Sequence, residues 1–316
     1  MTRPNNSFTT LGGGVPVHYD RRNELDYGTR GGGGFTFFAT SSFESKLDAC
    51  FAQIWELSPF GRAEVITTAG AWVPKPNSFH NDGRALDLDG IFWRDKPFVT
   101  LHDGFQGGNR PLYFAIEAII RMHFGQVLNY NFNAAHRDHF HISDTSPGFN
   151  RSSMTATFFL QNALTFVLGH PVGRDGIFGN ETRGALDLAM DEMGITGSID
   201  NSLDVYRQFL TGVARAGFRL AAPSPGESPL SPAEDFVAPS TLGFLAASEV
   251  ASVATESESP ATETAVELLA NAYAVIDLEL GNTSLRPKIE GAVTAFANHP
   301  DIQRVIAPAD EPTPTS

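Results

Sequence analysis

The chain holds a single cysteine, Cys50, among 316 residues. An internal disulfide is therefore impossible, and so is a multi-cysteine zinc site; any zinc must rest on histidine and carboxylate ligands. Cys50 itself falls within a helical pattern and reads as a small core residue rather than a nucleophile. Long apolar runs are also missing. No stretch of about 18 apolar residues occurs, which predicts no membrane span. The opening MTRPNNSFTTLGGGVPVHYD has no apolar run suited to a signal peptide. Basic charge is scarce: 22 Lys and Arg stand against 36 Asp and Glu, a net charge of −14. A nucleic-acid binder needs a basic face, so nucleic acid is not an expected partner. The acid is unevenly placed. Residues 221–316 hold 14 acidic and 3 basic residues, net −11, leaving 22 and 19, net −3, for residues 1–220.

What is present suffices for one sizeable core plus a smaller module. Residues 1–34 are polar and glycine-rich, and read as an irregular, flexible N-terminal arm ending at Gly31 to Gly34. Ser41 and Glu44 have capping-box spacing, and Phe43, Leu47, Cys50, Phe51 and Ile54 mark one helical face. RAEVITTAGAW reads as a buried strand running into a loop, and RALDLDGIFW alternates like a second strand. Pro111 opens another helix with Ala115, Ala118, Ile119 and Met122 on its face, and Gly125 stops it. Residues 126–132 look extended, and DHFHIS at 138–143 reads as a further strand. The mixture lacks a regular βαβ rhythm. It predicts an α+β domain over 35–150, with a small antiparallel sheet and flanking helices.

From about residue 155 the pattern turns helical. Phe158, Phe159, Leu160, Leu164 and Val167 suit one helix; Asn180 or Thr182 could cap a second, which carries Ala185, Leu186, Ala189 and Met193; a third is expected around 202–215. Together they predict a small all-α module over 151–220. Residues 221–260 are a Pro/Ser/Glu-rich linker by composition. Val266, Leu269, Tyr273, Ile276 and Leu280 then form a helical stripe in an acidic tail, residues 261–316.

Chemistry concentrates in two places. SFHNDGRALDLDG, residues 78–90, sets His80 seven residues before Asp87, and AHRDHFHIS holds His136, His139 and His141. On a strand His139 and His141 project to one face. A catalytic zinc commonly takes three protein ligands and keeps one open position. His80, Asp87 and one of the later histidines supply that number. Gly83 permits a tight turn between the first two, and Ala85 keeps the strand small beside the metal.

Ser78-x-His80-x-x-Gly83-x-Ala85-x-Asp87, followed by His139-x-His141, resembles the two signature motifs of the D-Ala-D-Ala carboxypeptidase and extensin-like zinc metallopeptidases. These belong to a wider group with the lysostaphin-type enzymes and hedgehog domains. The resemblance spans about residues 40–145. It implies zinc on His80, Asp87 and His141, with His139 assisting the water, and an activity on peptide bonds of bacterial peptidoglycan, often beside D-alanine. His136 and Asp138 are candidates to orient the site or bind substrate. Arg62, Arg84 and Arg137 are candidates to hold a substrate carboxylate or oxyanion, with no basis for choosing among them. Ser78 reads as a turn residue rather than a nucleophile.

Leu160, Gln161, Leu164, Gly169, DGIFGNET at 175–182 and Ala185 resemble the helical peptidoglycan-binding domain that accompanies many wall hydrolases. The usual Phe-Gln of the following helix is replaced by Ala189 and Met190. RDGIFGNET could also be read as a calcium loop, but its acidic spacing is poor. The expectation is thus a zinc peptidase acting on peptidoglycan in the cell wall or periplasm. The rivals are a non-catalytic, zinc-stabilised wall-binding protein and a metallopeptidase for other peptides. D,D-carboxypeptidase, D,D-endopeptidase and L-Ala-D-Glu endopeptidase activities all remain open. With no signal peptide, a phage-borne, lysis-released or injected enzyme is expected, and the acidic tail is a candidate docking element for a delivery or assembly partner.

Overall fold

The computed structural model describes residues 2–21, 24–25 and 33–222. The chain runs through β1 (Ser7–Phe8), β2 (Thr10–Leu11), β3 (Val15–Tyr19), β4 (Phe37–Phe38), α1 (Ser41–Leu57), β5 (Val65–Gly70), β6 (Ala85–Phe92) and β7 (Pro97–Val99). A π-type turn at Leu101–Phe105 leads into α2 (Arg110–His123), β8 (Gln126–Leu128), a 3-10 turn at Ala134–His136 and β9 (Phe140–Ser143). Three helices follow: α3 (Met154–Phe166), α4 (Asn180–Glu192) and α5 (Leu203–Ala221). The architecture is α+β. The main sheet runs β2-β3-β5-β6-β9-β8, with β7 also on β6, while β1 and β4 pair separately. All pairs in the main sheet are antiparallel except β3 with β5, which is parallel.

That parallel pair corrects the reading of residues 1–34 as an irregular arm. Val17 lies opposite Ile66 and Tyr19 opposite Thr68. Phe8, Leu11, Val15 and Val17 are buried in the common core. The GGG run at 12–14 is the turn of the β2–β3 hairpin. Burial of four apolar side chains outweighs the local glycine and polar signal.

α1 buries the five residues expected, Phe43, Leu47, Cys50, Phe51 and Ile54. Its cap differs. Thr40, not Ser41, accepts from the Phe43 amide at 3.3 Å, and the Glu44 carboxylate is drawn away to Asn6 Nδ2 at 2.6 Å. The Thr40 amide in turn donates to the Gly83 carbonyl at 2.9 Å, which ties the helix start to the loop before β6. α2 begins at Arg110 with Pro111 in its first turn, and Asn109 caps it. Its residues Leu112 to Met122 are all buried, so the anticipated apolar stripe belongs to a helix enclosed on every side. At α4 the cap is Gly179, without a side-chain bond, so neither Asn180 nor Thr182 fills that role. Thr182 is buried and accepts instead from Gln161 Nε2 at 3.2 Å.

The helical segment shares its core with the sheet. Phe159, Leu160, Leu164, Phe209, Val213 and Phe218 join the same apolar cluster as Leu86, Leu88 and Phe140. α5 lies so close to α2 that a Cβ on Gly217 would stand 2.5 Å from the Pro111 carbonyl oxygen. Gln161 organises the loop before α4: it donates to Asp175 Oδ1 at 2.8 Å and to the Ile177 carbonyl at 3.1 Å, and accepts from the Gly176 amide at 2.9 Å. Asp175 Oδ1 also accepts from the Ile177 amide and so closes this turn. α5 extends to Ala221, six residues past the expected end. The remainder of the linker and the acidic stripe at Val266 to Leu280 lie outside the described residues. Among the described residues no helix is long and apolar enough to cross a membrane.

A buried ion pair holds this junction. Arg121 meets Glu117 at 2.8 Å, one turn apart on α2. Arg121 Nη2 also donates to the carbonyls of Val127 at 3.2 Å and Thr155 at 3.1 Å, and Asn129 Nδ2 donates to Glu117 at 2.9 Å. One network therefore joins α2, β8 and the start of α3. Glu117→Ala would strand the guanidinium without its counter-charge and is expected to cost about 3–5 kcal/mol in urea-induced unfolding. A loss below about 1 kcal/mol, the range of an exposed pair, would contradict the burial of this network.

Candidate metal centre

The loop from Ser78 to Arg84 is a run of tight turns. Asn81 N donates to the Ser78 carbonyl at 3.0 Å, Gly83 N to the His80 carbonyl at 3.0 Å and Arg84 N to the Phe79 carbonyl at 2.9 Å. Gly83 adopts φ 65°, a left-handed conformation, and a Cβ there would stand 3.2 Å from the Ala39 Cα and the Thr40 amide and 2.4 Å from the Pro4 ring. Both reasons demand glycine. The Ser78 hydroxyl accepts from the His80 amide at 3.3 Å, so it shapes the turn that carries the histidine.

β6 then places Asp87. Leu86 and Leu88 point into the core, which turns Asp87 to the opposite face. On β9, Phe140 and Ile142 enter the core in the same way, leaving His139 and His141 on the side of Asp87. The register sets Asp87 directly across from His141, and Ala85 across from Ser143. Thr68 Oγ1 holds the backbone beneath, donating to the Asp87 carbonyl at 2.5 Å.

His80 Nε2, Asp87 Oδ1 and His141 Nδ1 converge. The separations are 3.2 Å from His80 to Asp87, 3.1 Å from His80 to His141 and 2.9 Å from His141 to Asp87. His80 Nδ1 contacts the Ala71 carbonyl, which can only accept, so the proton of a neutral His80 sits on Nδ1 and Nε2 presents its lone pair. His141 Nε2 lies 3.0 Å from the Ser143 hydroxyl, an available acceptor for its proton. With both imidazoles neutral, three electron-pair donors meet with at most one proton among them, an arrangement that a cation completes. These residues form a group that could hold a metal ion. Two imidazoles and a carboxylate suit a first-row transition ion, and the Ala71 and Ser143 contacts orient the rings as outer partners do at metal sites.

When His141 and His80 are protonated they donate to Asp87 instead: burial would raise its carboxyl, but those hydrogen bonds and charges hold it well below the usual range. Burial would lower His80, yet the hydrogen bond and charge of Asp87 raise it. For His141 burial prevails over Asp87 and lowers it.

His139 stands beside this set, not in it. Its Nδ1 meets Asp138 Oδ1 at 2.9 Å, and its Nε2 lies 3.7 Å from Asp87 Oδ1. Asp138 is lowered to about 2: burial opposes this, but the hydrogen bond and charge of His139 outweigh it, helped by Arg21, whose Nη2 is 3.3 Å away. His136 packs its ring 5.1 Å from His139 and 5.7 Å from His141, and its Nδ1 meets Asn133 Oδ1 at 2.6 Å. Burial, then the two neighbouring histidines, keep it well below the usual imidazole range.

The candidate arginines fare differently. Arg84 is occupied by Asp144, donating to its carbonyl at 2.7 Å and its carboxylate at 3.4 Å. Arg62 lies against the β2–β3 turn at Gly14, and Arg137 is exposed just before β9. Two contributors were not read from the sequence. The Ala71 carbonyl leaves no side-chain signal. Asp89, two residues past Asp87, is 2% exposed, neither of its carboxylate oxygens has a hydrogen-bond partner, and burial raises it to about 8. Its place in the alternation of RALDLDGIFW was the available clue.

Residues 62–151 match the family model described as Extensin-like protein C-terminus. The matched stretch is 90 of 316 residues and contains His80, Asp87, His139 and His141. No curated protein and no solved structure matches the chain.

One transition-metal ion per chain is expected in the isolated protein. His80→Ala, Asp87→Ala and His141→Ala should each remove most of it, and His139→Ala should not, as read by elemental analysis after gel filtration. Full metal in His80→Ala or His141→Ala would contradict the ligand assignment.

Proposed function

We propose that the protein is a zinc-dependent peptidase that hydrolyses peptide bonds in bacterial peptidoglycan. The observation that carries this reading is the convergence of His80, Asp87 and His141, with the His139–Asp138 pair at its edge. The substrate class rests on the resemblance of these motifs to wall peptidases, and the extensin-like match over residues 62–151 is consistent with it. When bound, zinc supplies the Lewis acidity that polarises a carbonyl and makes water a nucleophile near neutral pH.

The chain's own residues supply the rest. A neutral His139 whose Nδ1–H donates a hydrogen bond to the Asp138 carboxylate keeps a lone pair on Nε2, which faces the ligand cluster. There it can accept a proton from water and pass it to the leaving amine. Asp138 fixes that tautomer and offsets the charge of the imidazolium that forms. His136 lines the site with an imidazole kept neutral by burial. The helical segment α3–α5 is proposed to hold the wall, and the acidic residues beyond 222 to serve delivery or assembly, in keeping with a phage-borne, lysis-released or injected enzyme.

Mass spectrometry of purified muropeptides incubated with the zinc-loaded protein tests the reading. A hydrolytic mass change is expected, and its position identifies the bond. His139→Ala should keep the metal and lose about 100-fold or more in turnover. Intact muropeptides after incubation with zinc-replete wild type would contradict the peptidase reading and favour a non-catalytic, metal-stabilised binding protein.

A further inference from the structure

The aim of His139 depends on how firmly its partner carboxylate is held. The terminal torsion of an aspartate is broad and nearly two-fold, so one hydrogen bond to His139 does not fix the plane of the group. Asp138 is held at both oxygens and at its backbone. Oδ1 meets His139 Nδ1 at 2.9 Å, and Oδ2 accepts from Arg21 Nη2 at 3.3 Å. The amide of Asp138 adds a local contact to its own carboxylate. The Asp138 carbonyl accepts from the buried Thr100 hydroxyl, which also donates to the Asp89 carbonyl at 3.0 Å. Thr100 therefore ties the backbone of Asp138 to β6, and Arg21 gives the side chain its second anchor.

Arg21 reaches Asp138 because of the parallel strand near the N-terminus. β3 pairs with β5, and the ladder continues one residue past Tyr19, where the Asp20 amide donates to the Thr68 carbonyl at 3.3 Å. β5 and β6 stand between β3 and β9, so the chain leaving β3 must cross the sheet to bring Arg21 to Asp138. Asp20 and Glu24 mark its path. They line a recess with Thr67 and Asp89 at a β-bulge in β6, where Thr67 lies opposite Gly90 and Thr68 opposite Leu88. Arg21 lies outside residues 62–151, so the stretch that matches the family model does not hold every group that aims His139.

The Arg21 side chain is 42% exposed and that of Asp138 21%. An ion pair so exposed contributes little to stability. Its loss should therefore leave fold and metal in place and reach only the orientation of the dyad, as the loss of an outer partner does at a metal ligand. We infer that Arg21 is a positioning residue for His139: through the Asp138 carboxylate it holds the imidazole in the Nδ1–H tautomer, with the Nε2 lone pair toward the donor cluster. This role rests on the peptidase reading and deepens it, since that lone pair is the one that takes the proton from water.

The first readout is nitrogen NMR of full-length, zinc-loaded protein with isotope-labelled histidine, at alkaline pH where free imidazoles are neutral. Couplings from the ring nitrogens to the carbon-bound ring protons report which nitrogen carries the hydrogen. Wild type is expected to hold His139 as Nδ1–H. Arg21→Ala should shift the tautomer ratio about 10-fold toward Nε2–H, the scale of a weakened charge-assisted hydrogen bond, with zinc content unchanged. Asp138→Ala gives the reference for complete loss. A ratio in Arg21→Ala equal to wild type, or a wild-type His139 already in the Nε2–H form, overturns the inference. So does loss of zinc or of fold in Arg21→Ala, which would mark a structural role. The second readout is muropeptide turnover. Arg21→Ala should lower kcat about 10-fold with KM unchanged, and should add nothing in an Asp138→Ala background. An equal further loss in that background would mean that Arg21 acts by another route, such as Asp89, where its charge is also felt, and would overturn the assignment. Absence of turnover in wild type sinks the peptidase reading, while the tautomer ratio still decides the role of Arg21.

Discussion

The pairing of Asp87 with His141 across β6 and β9 is the constraint on which the candidate site depends. A strand's side chains alternate with a period of two, so a slip of one residue would send both groups into the core and bring Leu88 and Phe140 to the surface. Four buried apolar side chains, Leu86, Leu88, Phe140 and Ile142, make that slip expensive. The hydrophobic core thus sets the register, and the register sets the donors. His80 arrives from a separate loop, and its position depends on the turn that Gly83 allows and on the Ala71 carbonyl at the end of β5.

The same local economy explains the charges. Asp87 remains ionised despite burial because two imidazoles face it, and Asp138 does so because His139 and Arg21 face it. Asp89 has burial without such company, which is why its behaviour departs from theirs. Three aspartates within the two strand segments thus occupy three electrostatic conditions: one at the donor cluster, one holding a histidine, and one whose ionisation burial opposes. Further away, the Glu117–Arg121 pair ties α2 to β8 and to the start of α3.

The sequence made short-range features readable. The α1 face was legible because five apolar residues at helical spacing leave the other face polar. The His80-to-Asp87 stretch and the His139-x-His141 pair were legible because their spacing is local and their residue types are rare. Partners distant in sequence were not. β3 pairs with β5 some fifty residues later, so nothing near Val15–Tyr19 announced its burial, and the surrounding glycines pointed to an arm. The Glu44 cap failed for a similar reason: Asn6, from the N-terminal segment, competes for its carboxylate. The helices after residue 153 were readable as helices, but their shared core with α2 was not, because Gly217 against Ala115 is a contact about a hundred residues apart. Asp89 stood in plain view, yet the bulge that isolates it exists only in the paired sheet.

The central claim is that His80, Asp87 and His141 bind one metal ion directly. Anomalous diffraction at the zinc edge from crystals of the holoprotein tests it most directly. The account predicts one peak bonded to His80 Nε2, the Asp87 carboxylate and His141 Nδ1, with His139 outside bonding distance. No peak at this position, or one ligated through His136 or His139 in place of His80 or His141, would contradict it.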